Sequence, residues 1–139
     1  MSGKYIGNPS GACGYTDLDP KLYQQTAEFQ AAGAISAKAP VTITSTGTIA
    51  QAATDAVASL VVGIALNALT TGETGQVVVL GSASGVLAGG ATTLGTPVIR
   101  SATTSGYVTS SASPAVGEQI GIALGASSGG TVNVWVLPA

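Results

Sequence analysis

The sequence predicts an all-β protein: a small β-barrel or β-sandwich body of about eight strands in two similar halves, behind an extended N-terminal arm. Three observations predict it. The second half of the chain repeats the first, the apolar residues fall in short β-branched runs punctuated by glycine, and charge is almost absent. Of 139 residues only 7% are charged and 20 are glycine, which rules out long helices with solvated charged faces. A chain of this length builds one core without disulfide or metal. Its 45% hydrophobic content and net charge of −2 are the reverse of the disorder signature.

The arm spans residues 1–32. Lys4, Asp17, Asp19, Lys21 and Glu28 gather there with Tyr5, Tyr15, Tyr23 and, near its end, Phe29. Gly7-Asn8-Pro9-Ser10-Gly11 and Asp19-Pro20 are turn or extended signals, because proline restricts the residue before it. Propensity allows a short helix over 21–32, although the apolar spacing there is poor. Aromatic side chains on an exposed segment match the composition of interfaces, so Tyr5, Tyr15, Tyr23 and Phe29 are candidate interface residues. The other reading folds them back on the protein's own body.

The body spans 33–139, with pseudo-repeats 33–80 and 90–138. Gly33-Ala34 recurs as Gly90-Ala91, Ala39-Pro40-Val41 as Thr96-Pro97-Val98, and Thr46-Gly47 as Ser105-Gly106. Val62-Gly63-Ile64-Ala65-Leu66 returns as Ile120-Gly121-Ile122-Ala123-Leu124, and Gly75-Gln76-Val77-Val78-Val79 is matched to Gly130-Thr131-Val132-Asn133-Val134. Strands are expected at 41–44, 77–80 and 132–136, where β-branched residues cluster or alternate. Thr46-Gly47, Thr71-Gly72, Ser84-Gly85, Ser105-Gly106 and Gly129-Gly130 read as turns. The segment 48–61 admits a strand, a loop or one helical turn. Closing such a sheet would hide edges that a chain with so few charges cannot otherwise protect.

Composition excludes several functions. Lys4, Lys21, Lys38 and Arg100 are the whole basic complement, too few for a nucleic-acid footprint. There is no histidine, the commonest general base and metal ligand, and the single Cys13 can form neither an internal disulfide nor a thiolate cluster. Gly125-Ala126-Ser127-Ser128-Gly129 matches the G-x-S-x-G nucleophile elbow, but that elbow needs a histidine base, so it reads as a hairpin loop. Asp17 and Asp19 lack the further oxygen ligands that calcium requires. The apolar run 56–69 is shorter than a membrane span. The start has no apolar signal core, which predicts synthesis in a cytoplasm. No catalytic, cofactor-binding or metal-ligating residue is assigned, and neither nucleic acid nor membrane is an expected partner.

Two aromatics lie in the body. Trp135 reads as core first and as a subunit contact second. Tyr107 and Trp135 are together the stacking candidates if the protein recognises a host carbohydrate. A surface of Ser, Thr, Gly and Ala loses little side-chain entropy on association, which points to a constituent of a larger assembly rather than a free catalyst.

The two-half pattern of Pro-Val strand (Pro40-Val41, Pro97-Val98), glycine turn, G-I-A-L (63–66, 121–124) and V-x-V strand resembles the capsid decoration, or cement, proteins of tailed bacteriophages. The resemblance covers residues 33–138. It implies a β-barrel or β-tulip-like homotrimer on the outer capsid surface of the virion. There it would bridge neighbouring major capsid proteins and stabilise the expanded head against the pressure of packaged DNA. It implies no catalytic residue and no cofactor.

Overall fold

The structure is a computed structural model whose described residues are 24–54 and 61–137. Among them are nine strands and no helix: β1 Gln24–Gln30, β2 Pro40–Ile43, β3 Ile49–Gln51, β4 Val61–Ala65, β5 Thr74–Leu87, β6 Pro97–Arg100, β7 Val108–Ser110, β8 Gly121–Ala123 and β9 Thr131–Val136. Eight of them form one path, β3-β2-β4-β5-β9-β8-β6-β7, and β1 pairs with β5. All ladders between strands are antiparallel. From the centre outward, β5-β4-β2-β3 and β9-β8-β6-β7 are the same arrangement twice, which is the repeat of the sequence in three dimensions.

The pairings place the repeat more closely than sequence similarity does. Pro40 faces Ile64 and Val41 faces Gly63, as Pro97 faces Ile122 and Val98 faces Gly121. At the last strand, however, Ile64 faces Val78 whereas Ile122 faces Trp135, so Val78 corresponds to Trp135. The match of Gly75–Val79 to 130–134 is therefore two residues out of register, and the counterpart is Val132–Val136. The physical reason is that Gly75 and Gly130 do different work. Gly75 clears space for Leu69, since a Cβ there would lie 2.7 Å from Leu69 Cδ2, whereas Gly130 takes a left-handed turn conformation at φ +80°.

Residues 24–30, assigned to the arm on composition, are strand β1 of the sheet. Thr26-Ala27-Glu28-Phe29-Gln30-Ala31 alternates with period two, turning Ala27, Phe29 and Ala31 inward and leaving Thr26, Glu28 and Gln30 exposed. The helix allowed by propensity over 21–32 is thus replaced by a strand, because pairing with β5 buries that alternating face. Phe29 faces Gly75 and Gln30 faces Thr74, as Val86 faces Val132 and Leu87 faces Thr131. The second part of β5 therefore plays in the second half the role of β1 in the first. The repeat begins at β1, and its two copies are residues 24–80 and 81–137.

Ser84-Gly85, expected as a turn, is instead a bulge inside the 14-residue β5. Gly85 takes φ +69° and donates its N–H to Asn133 Oδ1 at 3.0 Å, so a side chain of β9 ties the bulge down and the strand continues.

The sheet curls. Ile64 on β4 and Val108 on β7 are five places apart in strand order, roughly 24 Å in a flat sheet, yet they share one buried cluster with Val78, Val86, Val98, Ala123, Val132, Val134 and Val136. A second cluster of Ala31, Ile35, Val41, Ile49, Ala65, Leu69 and Val77 lies wholly within the first half, with Phe29, Val62 and Val79 packed against it. The two ends of the path meet. Gly106 N–H beside β7 donates to Ala52 O beyond β3 at 2.9 Å, Ser105 Oγ reaches the same carbonyl, and Arg100 Nη1 donates to Thr54 O at 2.6 Å. This seam makes the body barrel-like.

Candidate interaction surface

The two halves expose different faces. In the first, the row Pro40, Ile64 and Val78 is fully buried, with Ile64 and Val78 in the cluster dominated by the second half. The corresponding row Pro97, Ile122 and Trp135 is only half-buried, and none of the three belongs to either core cluster. Alternation along β8 and β9 explains this. Gly121, Ala123, Val132, Val134 and Val136 are buried, while Ile122, Asn133 and Trp135 turn to the other side of the sheet. Leu124 continues that side and is 41% exposed, whereas its counterpart Leu66 is partly buried against the core. Trp135 therefore does not fill the core. It stands on the outer face of the second half, with Ser82 on one side and Ile122 on the other.

Among the other candidates, Tyr5, Tyr15 and Tyr23 lie outside the described residues. Phe29 packs from β1 against the cluster of its own half. Tyr107 immediately precedes β7, three places from β9 in strand order, so it stands roughly 14 Å from Trp135 and does not form one stacking site with it.

Glu73, Glu118 and Arg100 bond the backbone. Glu73 Oε1 accepts the Thr70 N–H at 2.7 Å, and this backbone bond holds the carboxyl below its ordinary value of 4.5. Glu118 accepts the Ala115 N–H at 2.7 Å. Lys38 stands in the left-handed region at φ 65°. Ser127, at the centre of the G-x-S-x-G match, accepts the Thr92 N–H at 3.1 Å, in a loop leading to the Ser128–Thr131 bridge. Beside it an open depression of about 420 Å³ is lined by Ala88, Gly89, Gly90, Ala91 and residues 127–130, all small and none titratable.

No protein-family model matches this sequence, and no curated protein is similar to it. The fold does have a solved counterpart. The chain is similar in structure to the N base of head fiber gp8.5 of bacteriophage phi29, with a TM-score of 0.60. The similarity covers 82% of this chain and 94% of that one at 16% sequence identity. At that identity the likeness is one of fold, and it spans nearly the whole of the fiber base.

Proposed function

We propose that this protein is a structural component of a phage virion: a capsid decoration protein that binds the outer capsid surface as a trimer and stabilises the expanded head. The observation that carries this reading is the shared fold with a head fiber base over 82% of the chain. The composition supports it independently, since a chain rich in Gly, Ala, Ser and Thr with 7% charge is suited to packing against flat neighbours rather than to proton transfer. The reading includes no enzymatic step.

The mechanism is linkage. A protein that binds only the expanded shell lowers the free energy of that state by mass action. Attachment through three subunits makes each further contact effectively intramolecular, so weak individual contacts add to durable seating. Residues 1–23, with Tyr5, Tyr15 and Tyr23, are the segment we assign to the neighbouring major capsid protein; Phe29 is committed to β1.

Co-sedimentation with purified undecorated capsids tests the proposal. Saturable binding with a rise in capsid melting temperature is the expected result. Protein left in the supernatant at saturating capsid would overturn it.

A further inference from the structure

We propose that Lys38 contacts the capsid directly, its ammonium pairing with a carboxylate on the neighbouring major capsid protein. The inference rests on the reading of this chain as a decoration protein and names one residue of the surface it would use.

The backbone singles Lys38 out. Among the described residues ten have positive φ and nine of these are glycine; Lys38, at φ 65°, is the exception. An L side chain is disfavoured in this region because its Cβ crowds the following carbonyl oxygen. The repeat shows which residue the turn calls for. Lys38 stands two places before Pro40, and Gly95 two places before Pro97. Lys38 N–H donates to Ala65 O at 2.8 Å, as Gly95 N–H donates to Ala123 O at 2.8 Å, and Ala39 N–H reaches Ser36 O as Thr96 N–H reaches Thr93 O. The turn is the same in both halves. In the second it holds a glycine at φ +83°, where an added Cβ would meet nothing within 4 Å, so that glycine answers to the backbone angle and not to crowding.

Packing does not account for the lysine either. Lys38 is half-buried, so its stem lies partly against the body, but an uncharged side chain of the same length would supply that contact. The turn calls for glycine and the half-buried position for an apolar stem; only the ammonium is left unexplained by both. Strain retained in this way marks functional positions. The ammonium is not among the buried unpartnered atoms and bonds no acid among the described residues, whereas Arg100, the other described cation, donates to Thr54 O. The base of the side chain is fixed, since Leu87 N–H donates to Lys38 O at 3.1 Å opposite the bond to Ala65.

The chemistry of the partner follows from what surrounds the charge. Ser36 and Ala37 beside it are exposed and uncharged. One ammonium on such a surface suits one carboxylate, while nucleic acid and anionic lipid need clustered cations.

Co-sedimentation of the full chain with undecorated capsids tests the contact, with thermal unfolding in parallel. Lys38→Met keeps the stem and the backbone angle; it should hold the melting temperature within about 2 °C of wild type and weaken capsid binding at least ~5-fold, each single pair being small but repeated in every attached subunit. Lys38→Arg should bind within about 2-fold of wild type, and wild-type affinity should fall more steeply with salt than that of Lys38→Met. Wild type that binds with Lys38→Met unchanged overturns this inference alone. Wild type left in the supernatant at saturating capsid overturns the decoration reading and this contact with it. A Lys38→Met variant that melts well below wild type places the ammonium in a pair within the chain and also overturns the inference.

Discussion

Gly63 and Gly121 show how one atom can govern a strand. Each lies against a carbonyl of the neighbouring strand so closely that an added Cβ would sit 2.1 Å from the oxygen. Relief requires backbone movement, so Gly63→Ala and Gly121→Ala should each destabilise by about 1–3 kcal/mol or more, read by thermal unfolding. A second pair of positions trades volume between the halves. Leu69 lies over Gly75 in the first, and their counterparts in the second are Ser127 and Val132. Leu69→Ser alone should cost about 2–4 kcal/mol for the emptied site. Adding Gly75→Val, itself destabilising while Leu69 is present, should return about 1 kcal/mol or more; a double-mutant cycle with no favourable coupling would contradict this compensation. Glu73 supplies the pH dependence. Its carboxyl is held below 4.5, so its contribution is complete above the unfolded value and is lost as pH falls through the folded one. Glu73→Gln should therefore lower the melting temperature at neutral pH, with the difference closing on acidification below the carboxylate range.

At the scale of the element, β1 separates two deletions that composition alone does not distinguish. Removing residues 2–23 leaves every described strand in place and should preserve the fold. Removing 2–30 also takes β1 from β5 and Phe29 from its cluster, which uncovers a strand edge and should give aggregation or loss of the cooperative transition. Circular dichroism and size-exclusion on the two truncations check this. A well-folded 2–30 deletion would show that β1 is dispensable. The strand was legible in the alternation of Ala27, Phe29 and Ala31, but the Glu28 and Gln30 between them also suit a helix. What selects the strand is β5, whose free edge lies far along the sequence.

The whole molecule unfolds as one body if its core is shared. Val61, Ile64 and Val78 of the first half are buried among Val98, Val108, Val132 and Val134 of the second, so neither half covers its own apolar surface alone. Denaturant unfolding should show a single transition by tryptophan emission and circular dichroism together, and residues 24–80 expressed alone should not fold. Two separated transitions would refute the shared core.

Sequence by itself determined the fold class, the duplication and the lack of histidine. These follow from residue types and their spacing, which are local properties. Two features were decided only by the tertiary structure. The first is the register of the final strands, because Gly75-Gln76-Val77 and Gly130-Thr131-Val132 look alike as words while their glycines answer to different neighbours. The second is the candidate surface. V-G-I-A-L and I-G-I-A-L are nearly the same motif, yet Ile64 is fully buried while Ile122 is half-buried on the outer face with Leu124 and Trp135. Nothing within either segment distinguishes them. The difference arises because the curled sheet lays the first half's outer row on the second half's core, while the second half's own row joins neither core cluster.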